Sequence, residues 1–381
     1  MIASGRSARS ERPPAVAVLL GGPSAEHDVS VVSGTAVAEA LRAAGFPVQP
    51  ILLDLAGGWW WLPADHRREG RPPAAYDEPA GLGALGPFQA GAALDRLAAS
   101  EPRPVVFIAL HGPFGEDGTV QALLEAADLA YTGSGVTASA LGMDKALFKR
   151  LVRGLGLPVV EWHEVRAERW GADPDAVLAE LEAFAAGTGD ERLMVKPARL
   201  GSSVGMTLAH RPSERAGALD EAFRFDSLAL VERYLAGARD LEVAVIGNGP
   251  GGLDVFGPGE VVPGREFYDY RDKYLDGRAR TLARADLAAE LGASIRRLAR
   301  EAYLAIGAEG FARVDFLLAG GELYLNEINT IPGFTPISLF PAMAAAEGLD
   351  FTALVCRIVA LAQERHGGRI RRRLRVADLP R

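Results

Sequence analysis

The residues best suited to chemistry lie in the stretch Phe311 to Leu339, which reads Phe-Ala-Arg-Val-Asp-Phe-Leu-Leu, a Gly320-Gly321 turn, then Leu-Tyr-Leu-Asn-Glu-Ile-Asn-Thr-Ile-Pro-Gly-Phe-Thr. Two strands and a turn are indicated. Alternation with period two puts Arg313 and Asp315 on one face of the first strand, and Glu327 and Asn329 on one face of the second. Two carboxylates and an amide carbonyl beside an arginine make a poor interior. They make a good all-oxygen site for magnesium, which takes hard ligands and accepts phosphate as co-ligand. Register decides whether they meet. A two-residue Gly-Gly turn sets Asp315 opposite Asn326 and parts the polar faces, whereas a three-residue loop with a glycine bulge sets Arg313 opposite Glu327. The spacing predicts the bulged, odd-length loop.

The elements that must position this hairpin begin far upstream. Ala15 to Leu20 reads as a buried strand ending at Gly21-Gly22-Pro-Ser-Ala-Glu26. Val29, Val32, Ser33, Ala36, Val37, Ala40 and Leu41 then fall at helical spacing, Gly45 is a stop, and Val48 to Leu53 is the next strand. This is a βαβ opening whose glycine turn lacks the spacing of a dinucleotide fingerprint. Glu26 is an acid at a helix start, where dipole compensation alone would account for it. Asp54 to about Gly91, including Trp59-Trp60-Trp61, shows no sustained period and reads as loops, with the tryptophans packed on the domain. Pro104 to Leu110 resumes as a strand, and His111 follows at its carboxyl end, beside the Gly21 loop in a parallel sheet. A helix is indicated from near Thr119.

A second unit follows Tyr131-Thr-Gly-Ser-Gly135, with a helix carrying Met143-Asp144-Lys145 and stopped by Gly154 and Gly156. Asp173-Pro174 caps another helix that runs to about Ala186. Leu193-Met-Val-Lys196-Pro197 is a strand ending in a base, followed by Arg199-Leu-Gly201-Ser202-Ser203-Val-Gly205, small residues whose backbone NH groups suit a flexible phosphate cover. Leu228 to Glu232 is a strand with Arg233-Tyr234-Leu235 at its end, and Glu242 lies in the next. By residue type alone Glu232 is simply an exposed strand end. Phe267-Tyr268-Asp-Tyr270-Arg-Asp-Lys273-Tyr274 suits a loop folding over a ligand. Asp286 to Ile306 is an amphipathic helix leading into the hairpin, Ser338 to Ala346 and Phe351 to Gln363 are closing helices, and Arg369-Ile-Arg-Arg-Arg is a solvated end.

At 381 residues the chain has room for two or three domains, each with its own core. The net charge of -8 argues against a nucleic-acid grip. The single cysteine, Cys356, lies in an apolar helical pattern, which excludes disulfides and thiolate metal sites. The first fourteen residues carry no apolar run, so neither signal peptide nor anchor is indicated. No apolar segment approaches the roughly 20 residues needed to span a bilayer. A cytoplasmic protein without nucleic-acid or membrane partners is expected.

The run Arg313-Val-Asp315, Asn326-Glu327-Ile-Asn329-Thr330 and Pro332-Gly333-Phe334-Thr335 resembles the metal end of the ATP-grasp ligases, and within them the D-alanine–D-alanine ligases. Gly21-Gly22-x-Ser24-Ala25-Glu26, Ala109-Leu-His111-Gly112, Tyr131-Thr-Gly-Ser-Gly135, Met143-Asp144-Lys145, Val195-Lys196-Pro197, Gly201-Ser202-Ser203-Val204-Gly205 and Phe267-Tyr268-Asp-Tyr270 occur in that family's order. The resemblance covers nearly everything from Ala15 to about His366, failing at the tails and the Gly57 to Gly91 insertion.

It implies an α/β chain with a Rossmann-like N-terminal domain followed by a two-lobed ATP-grasp fold. The divisions expected are a tail (1–14), a substrate-binding domain (15–135), a central lobe (136–231), a C-terminal lobe with the metal site (232–368) and a basic tail (369–381). The implied reaction phosphorylates the carboxylate of one D-alanine with ATP and lets a second D-alanine attack it, for peptidoglycan synthesis. Lys145, Lys196 and Lys273 look like phosphate clamps, Glu232, Arg233, Leu235 and Glu242 like further ATP contacts, and Asp315, Glu327 and Asn329 like ligands of two magnesium (or manganese) ions. Glu26 looks like the anchor of the first ammonium, with His111 near the carboxyl end. Arg313 looks like the steadier of the tetrahedral intermediate, and Ser338 and Leu339 like holders of the second carboxylate. Ser202 and Tyr274 would bond toward Glu26 and latch two loops over an acyl phosphate that water would otherwise destroy. The resemblance also implies a homodimer. Arg271 departs from it, standing where many relatives carry an acid. Another ATP-grasp carboxylate-amine ligase, an ester-forming relative using D-lactate and a non-catalytic nucleotide sensor are the competing readings. The last would not need the metal ligands, all of which are present.

Overall fold

The computed structural model describes residues 13–263, 280–335 and 338–370. Near-continuous apolar runs make β1 (Val16–Gly21) and β2 (Val48–Leu53) central parallel strands, buried on both faces. The helix α1 (His27–Ala43) crosses between them and lays Val31, Val37 and Leu41 on the core. β1 also pairs in parallel with β5 (Val105–Ile108). Because β2 and β5 flank β1 on opposite sides, the loops after β1 and β5 open from one switch point, where a parallel sheet leaves a crevice.

The stretch read as loops does more than connect. Trp59–Trp61 forms β3, antiparallel on β2, and β4 (Leu85–Phe88) pairs outside it, so the sheet runs β4-β3-β2-β1-β5. Three bulky residues sufficed for a strand because tertiary burial of Trp59 and Trp61 supplied what local periodicity lacked. The helices α2 (Ala90–Ala98) and α3 (Thr119–Ala126) complete this unit.

The expected single helix through Met143-Asp144-Lys145 is two. α4 (Val136–Met143) stops at Asp144, which is extended at ψ 96° and accepts the Leu147 amide at Oδ1, 2.9 Å away, thereby capping α5 (Lys145–Gly154). A four-stranded antiparallel sheet follows in the order β6-β9-β7-β8, from β6 (Trp162–Arg166), β7 (Leu193–Pro197), β8 (Thr207–Ala209) and β9 (Leu228–Arg233). Its two faces differ by parity. Val165, Val195 and Val231 pack on α7 (Pro174–Thr188) and α8 (Arg215–Phe223), past the short α6 (Ala167–Ala172), whereas Trp162, Lys196, Leu230 and Glu232 share the other face.

The third sheet runs β12-β11-β10-β13-β14, from β10 (Arg239–Ile246), β11 (Asp254–Val262), β12 (Arg280–Leu282), β13 (Phe311–Ala319) and β14 (Glu322–Asn329). Ala312, Val314 and Phe316 pack with α4, α5 and α9 (Ala289–Ala305), which turns Arg313 and Asp315 to the opposite face. The hairpin corrects the expected register. Its turn is the two-residue Gly320-Gly321, at φ 59° and 86°, and Arg313 faces Asn329 rather than Glu327. A bulge exists, but inside β14. Asn326 is the extra residue, so Asp315 meets Glu327, while Leu325 and Ile328 both stay buried. A loop-only argument misses this because two glycines with positive φ already satisfy the tight turn.

Two closing helices, α10 (Leu339–Ala346) and α11 (Phe351–Ile370), join the units. α11 lies on α1, and Phe334 stacks edge-on against Phe107 of β5, Phe311 of β13 and Phe340 of α10, with ring centroids 5.7, 5.5 and 5.5 Å away. This fully buried ring ties the loop after β14 to both flanking sheets. Phe334→Ala should therefore cost about 3–5 kcal/mol, the usual result of emptying an aromatic core position, and lower the denaturant midpoint of the whole chain. A midpoint unchanged by the substitution would contradict this placement.

Candidate active site

One cleft lies where the three sheets face each other. Glu26 enters it from the N-cap position of α1, buried, with Oε1 accepting the Ser202 hydroxyl from the glycine loop. Its other oxygen, Oε2, is buried and has no hydrogen-bond partner among the described residues. Space for that oxygen depends on glycines. A Cβ on Gly112, whose φ is +77°, would lie 2.6 Å from Oε2, and one on Gly201 would lie 3.0 Å away. An unpartnered carboxylate oxygen at a cleft wall is suited to an ammonium ligand.

β5 ends at Ile108, two residues earlier than expected, and His111 stands just beyond its carboxyl end. Its Nδ1 lies 2.9 Å from the Ile331 carbonyl, which can only accept, so that nitrogen carries the proton. Nε2 then accepts from Ser33 Oγ at 2.9 Å, and Ser33 Oγ accepts the Phe334 amide at 3.2 Å. The ring thus joins α1 to the loop beyond β14. Glu116 was not singled out by sequence; it lines the same wall, buried, with Oε1 3.7 Å from His111 Nδ1.

Across the cleft, two of the three lysines named from sequence come from different elements. Lys145, on the first turn of α5, donates to the Leu200 carbonyl at 2.8 Å and pairs with Glu327 Oε2 at 3.1 Å. Burial would lower its pKa, but the charge of Glu327 outweighs that and holds the ammonium protonated. Lys196, from β7, pairs with Glu232 Oε2 at 2.8 Å and reaches Asn326 Oδ1 at 3.5 Å. Arg233 and Leu235 also line the cleft, although the Arg233 guanidinium is engaged by Glu161 and by the Tyr324 hydroxyl, each at 2.9 Å. That leaves its backbone as the part nearest a ligand.

At the third wall Arg313 donates to both oxygens of Asp315, at 2.7 and 2.6 Å, and stands 3.2 Å from Glu242 Oε2. Burial alone would lower the guanidinium pKa; Asp315 and Glu242 raise it well above its ordinary value. Glu242 is the cross-strand neighbour of Asp315, so it sits in this acidic corner. Asp315 and Glu327 face each other across the hairpin, and like charges so placed repel unless a cation lies between or beside them. Among the described residues no three His, Cys, Asp or Glu side chains form a self-sufficient metal site. Magnesium does not require one. It binds through one or two carboxylates plus phosphate oxygens, and the Asp315, Glu327 and Asn329 oxygens fit that arrangement. Ser338 and Leu339 line the cleft at the start of α10, with Ser338 Oγ accepting the Thr335 amide at 3.0 Å. Lys273, Tyr274 and the rest of the aromatic loop, Arg271 included, lie outside the described residues.

The residues missed by sequence reasoning had weak signals. Lys149 follows Lys145 by four, one helical turn on the same face, and Glu116 follows His111 by five within one loop. Glu116 is pushed up from its ordinary 4.5 to about 7, first by burial and then by the charge of Glu26. His111 is raised too, because Glu116 and Glu26 outweigh the burial that would lower it. Both shifts have one sign. The folded chain binds these protons more tightly than the unfolded chain, so the stability they contribute is present at acid pH and is lost as pH rises through about 7. Glu116→Gln removes one titrating group, and its melting temperature should fall less than the wild type's between about pH 5 and about pH 8. Parallel melting curves for the two proteins would refute this.

With this geometry in hand, the relatives can be placed. Residues 15–134 match the family model described as D-ala D-ala ligase N-terminus, and residues 151–360 the one described as D-ala D-ala ligase C-terminus. A D-alanine--D-alanine ligase of Kineococcus radiotolerans is 43% identical, covering 94% of this chain and 99% of that relative. One of Chlorobaculum parvum is 38% identical, covering 92% and 97%. Among solved structures, the D-alanine-D-alanine ligase from Coxiella burnetii has a TM-score of 0.75 at 30% identity, covering 94% of this chain and 97% of that one. The VanG D-Ala:D-Ser ligase from Enterococcus faecalis has a TM-score of 0.76, also at 30% identity, covering 92% and 99%. By length of match, by identity and by fold, the chain belongs to the D-alanine–D-alanine ligase family.

Proposed function

We propose that the cleft joins two D-alanine molecules, with the roles of its residues divided among the three walls. As a member of its family the chain is an ADP-forming ligase that uses ATP to make D-alanyl-D-alanine for peptidoglycan. The observation that carries the residue roles is the unpartnered Glu26 Oε2, which faces the same cleft as the Lys145, Lys196 and Asp315–Glu327 cluster. A zwitterion fits there, with its ammonium on Glu26 and its carboxylate, which has His111 near it, directed at the phosphate-binding side.

Phosphoryl transfer to a carboxylate brings like charges together, so cations must surround the transferring group. Lys145 and Lys196, with Lys273, clamp the phosphates. Glu232, Arg233 and Leu235 border the base, with Glu242 toward the ribose. Asp315, Glu327 and Asn329 would hold magnesium (or manganese), which when bound neutralises the phosphate oxygens. Transfer of the γ-phosphoryl group to the first carboxylate gives ADP and D-alanyl phosphate. The deprotonated amine of the second D-alanine attacks that acyl carbon to give a tetrahedral intermediate, whose bond from carbon to the phosphate oxygen then breaks to release inorganic phosphate. Arg313 steadies the negative oxygen of the tetrahedral intermediate. Ser338 and Leu339 hold the second carboxylate at the N-terminus of α10, where first-turn amides and the helix dipole favour an anion. Ser202, with Tyr274, closes the loops over Glu26 and keeps water from the acyl phosphate. In this reading residues 15–135 hold the first D-alanine and the lobes 136–231 and 232–368 hold ATP, in a cytoplasmic homodimer. Among the described residues no helix is long and apolar enough to cross a membrane.

ADP formation measured with D-alanine, L-alanine and other amino acids tests the reaction, and D-alanine alone should support it. With D-serine and D-lactate in competition at neutral pH, mass analysis should show the D-alanyl dipeptide as main product. Ester as the main product would reassign the second site. Glu327→Gln should fold normally yet lose turnover by about 100-fold or more, because an oxygen ligand keeps its shape and loses its charge. Activity within about tenfold of wild type at saturating magnesium would rule Glu327 out as a ligand.

A further inference from the structure

Lys149 is a fully buried lysine with no role in the reaction as described above. It projects from α5 one turn beyond Lys145 and places Nζ 2.9 Å from Glu232 Oε1, at an angle unsuited to a hydrogen bond, so the link is an ion pair. Its ammonium lies 5.7 Å from the ring centroid of Trp162, which is directly opposite Glu232 in the β6–β9 register. The second oxygen of the same carboxylate holds Lys196 at 2.8 Å. One buried carboxylate therefore serves two lysines, of which one faces the cleft and the other lies behind it.

We propose that Lys149 is a positioning residue whose fixed charge holds Glu232 and thereby leaves Lys196 free to transfer from Glu232 to the nucleotide. A buried carboxylate with Lys196 as its only partner would keep that lysine tightly, since releasing it would strand an unpaired charge in a desolvated site. With Lys149 behind it, Glu232 remains compensated when Lys196 leaves. The mutual repulsion of the two ammonium groups loosens Lys196 further. The electrostatics agree with this geometry. Burial and the neighbouring Lys196 lower the Lys149 pKa against the pull of Glu232, while Glu232 is held below its ordinary value because the two lysines outweigh its burial.

The inference rests on the ATP-binding reading of this cleft, and its test separates the two. Wild-type enzyme that forms no ADP with D-alanine would sink that reading; a normal wild type with an indifferent Lys149 variant would sink only this one. Lys149→Met should raise KM for ATP by about tenfold or more, with KM for D-alanine changed less than about twofold, and should weaken ADP binding in calorimetry to match. A merely structural role would lower stability without that split. The double variant Lys149→Met, Glu232→Gln supplies the second arm, since an amide no longer grips Lys196 yet retains an acceptor oxygen. Because Glu232 itself borders the base, the reference is Glu232→Gln alone, and the double variant's KM for ATP should match it, since Lys149 has no carboxylate left to compensate. An ATP KM for Lys149→Met within about twofold of wild type, or a double variant that exceeds Glu232→Gln by as much as Lys149→Met exceeds wild type, would overturn the proposal. Failure of both variants to fold would assign the pair to stability alone and overturn it equally.

Discussion

Glu26, Glu116, Glu232, Glu242 and Asp315 are buried carboxylates turned toward one cleft, and their compensation is the constraint on which the site depends. Taking a carboxylate out of water costs several kcal/mol, so each needs a cation or a donor nearby. Lys149 and Lys196 share Glu232, Arg313 stands between Asp315 and Glu242, and Lys145 joins the half-buried Glu327 to the Leu200 carbonyl. These cations come from α5, β7 and β13, and so the charges hold together elements that the chain visits at widely separated points.

Lys145 and Lys196 are held on protein carboxylates, so in the proposed reaction a nucleotide would exchange one set of oxygens for another without exposing a bare charge. The glycine loop shows a related economy. Ser202 and Ser203 sit at φ 51° and 58°, a region that ordinary side chains rarely occupy, and Ser202 spends its hydroxyl on Glu26. The strain falls where the loop meets Glu26 at the start of α1.

The chemistry and the core are joined by short paths. Ile331, Phe334 and Ser338 lie within one connection after β14; they respectively accept from His111, fill the aromatic cluster and open α10. Phe334 therefore touches both sides of the cleft's lining: its amide shares Ser33 Oγ with His111, and its ring packs on Phe340 of α10.

The sequence by itself determined most element types and named most of the charged residues that the fold gathers in the cleft. Apolar runs set the parallel strands, Asp173-Pro174 the helix start, and the confinement of Arg313, Asp315, Glu327 and Asn329 to one face of a hairpin marked the acidic corner. Such signals are local, since a side chain's face is fixed by strand parity and a cap by its own hydrogen bond. Tertiary structure decided what depends on partners distant in sequence. The bulge at Asn326 was invisible because a two-glycine turn is sterically satisfied without it, and only the burial of both Leu325 and Ile328 requires the extra residue. Trp59–Trp61 became a strand because β2 offered an edge to pair with. Nothing in the sequence set Glu116 and Lys149 apart from other charged residues, and only the folded chain buries them beside His111 and Glu232.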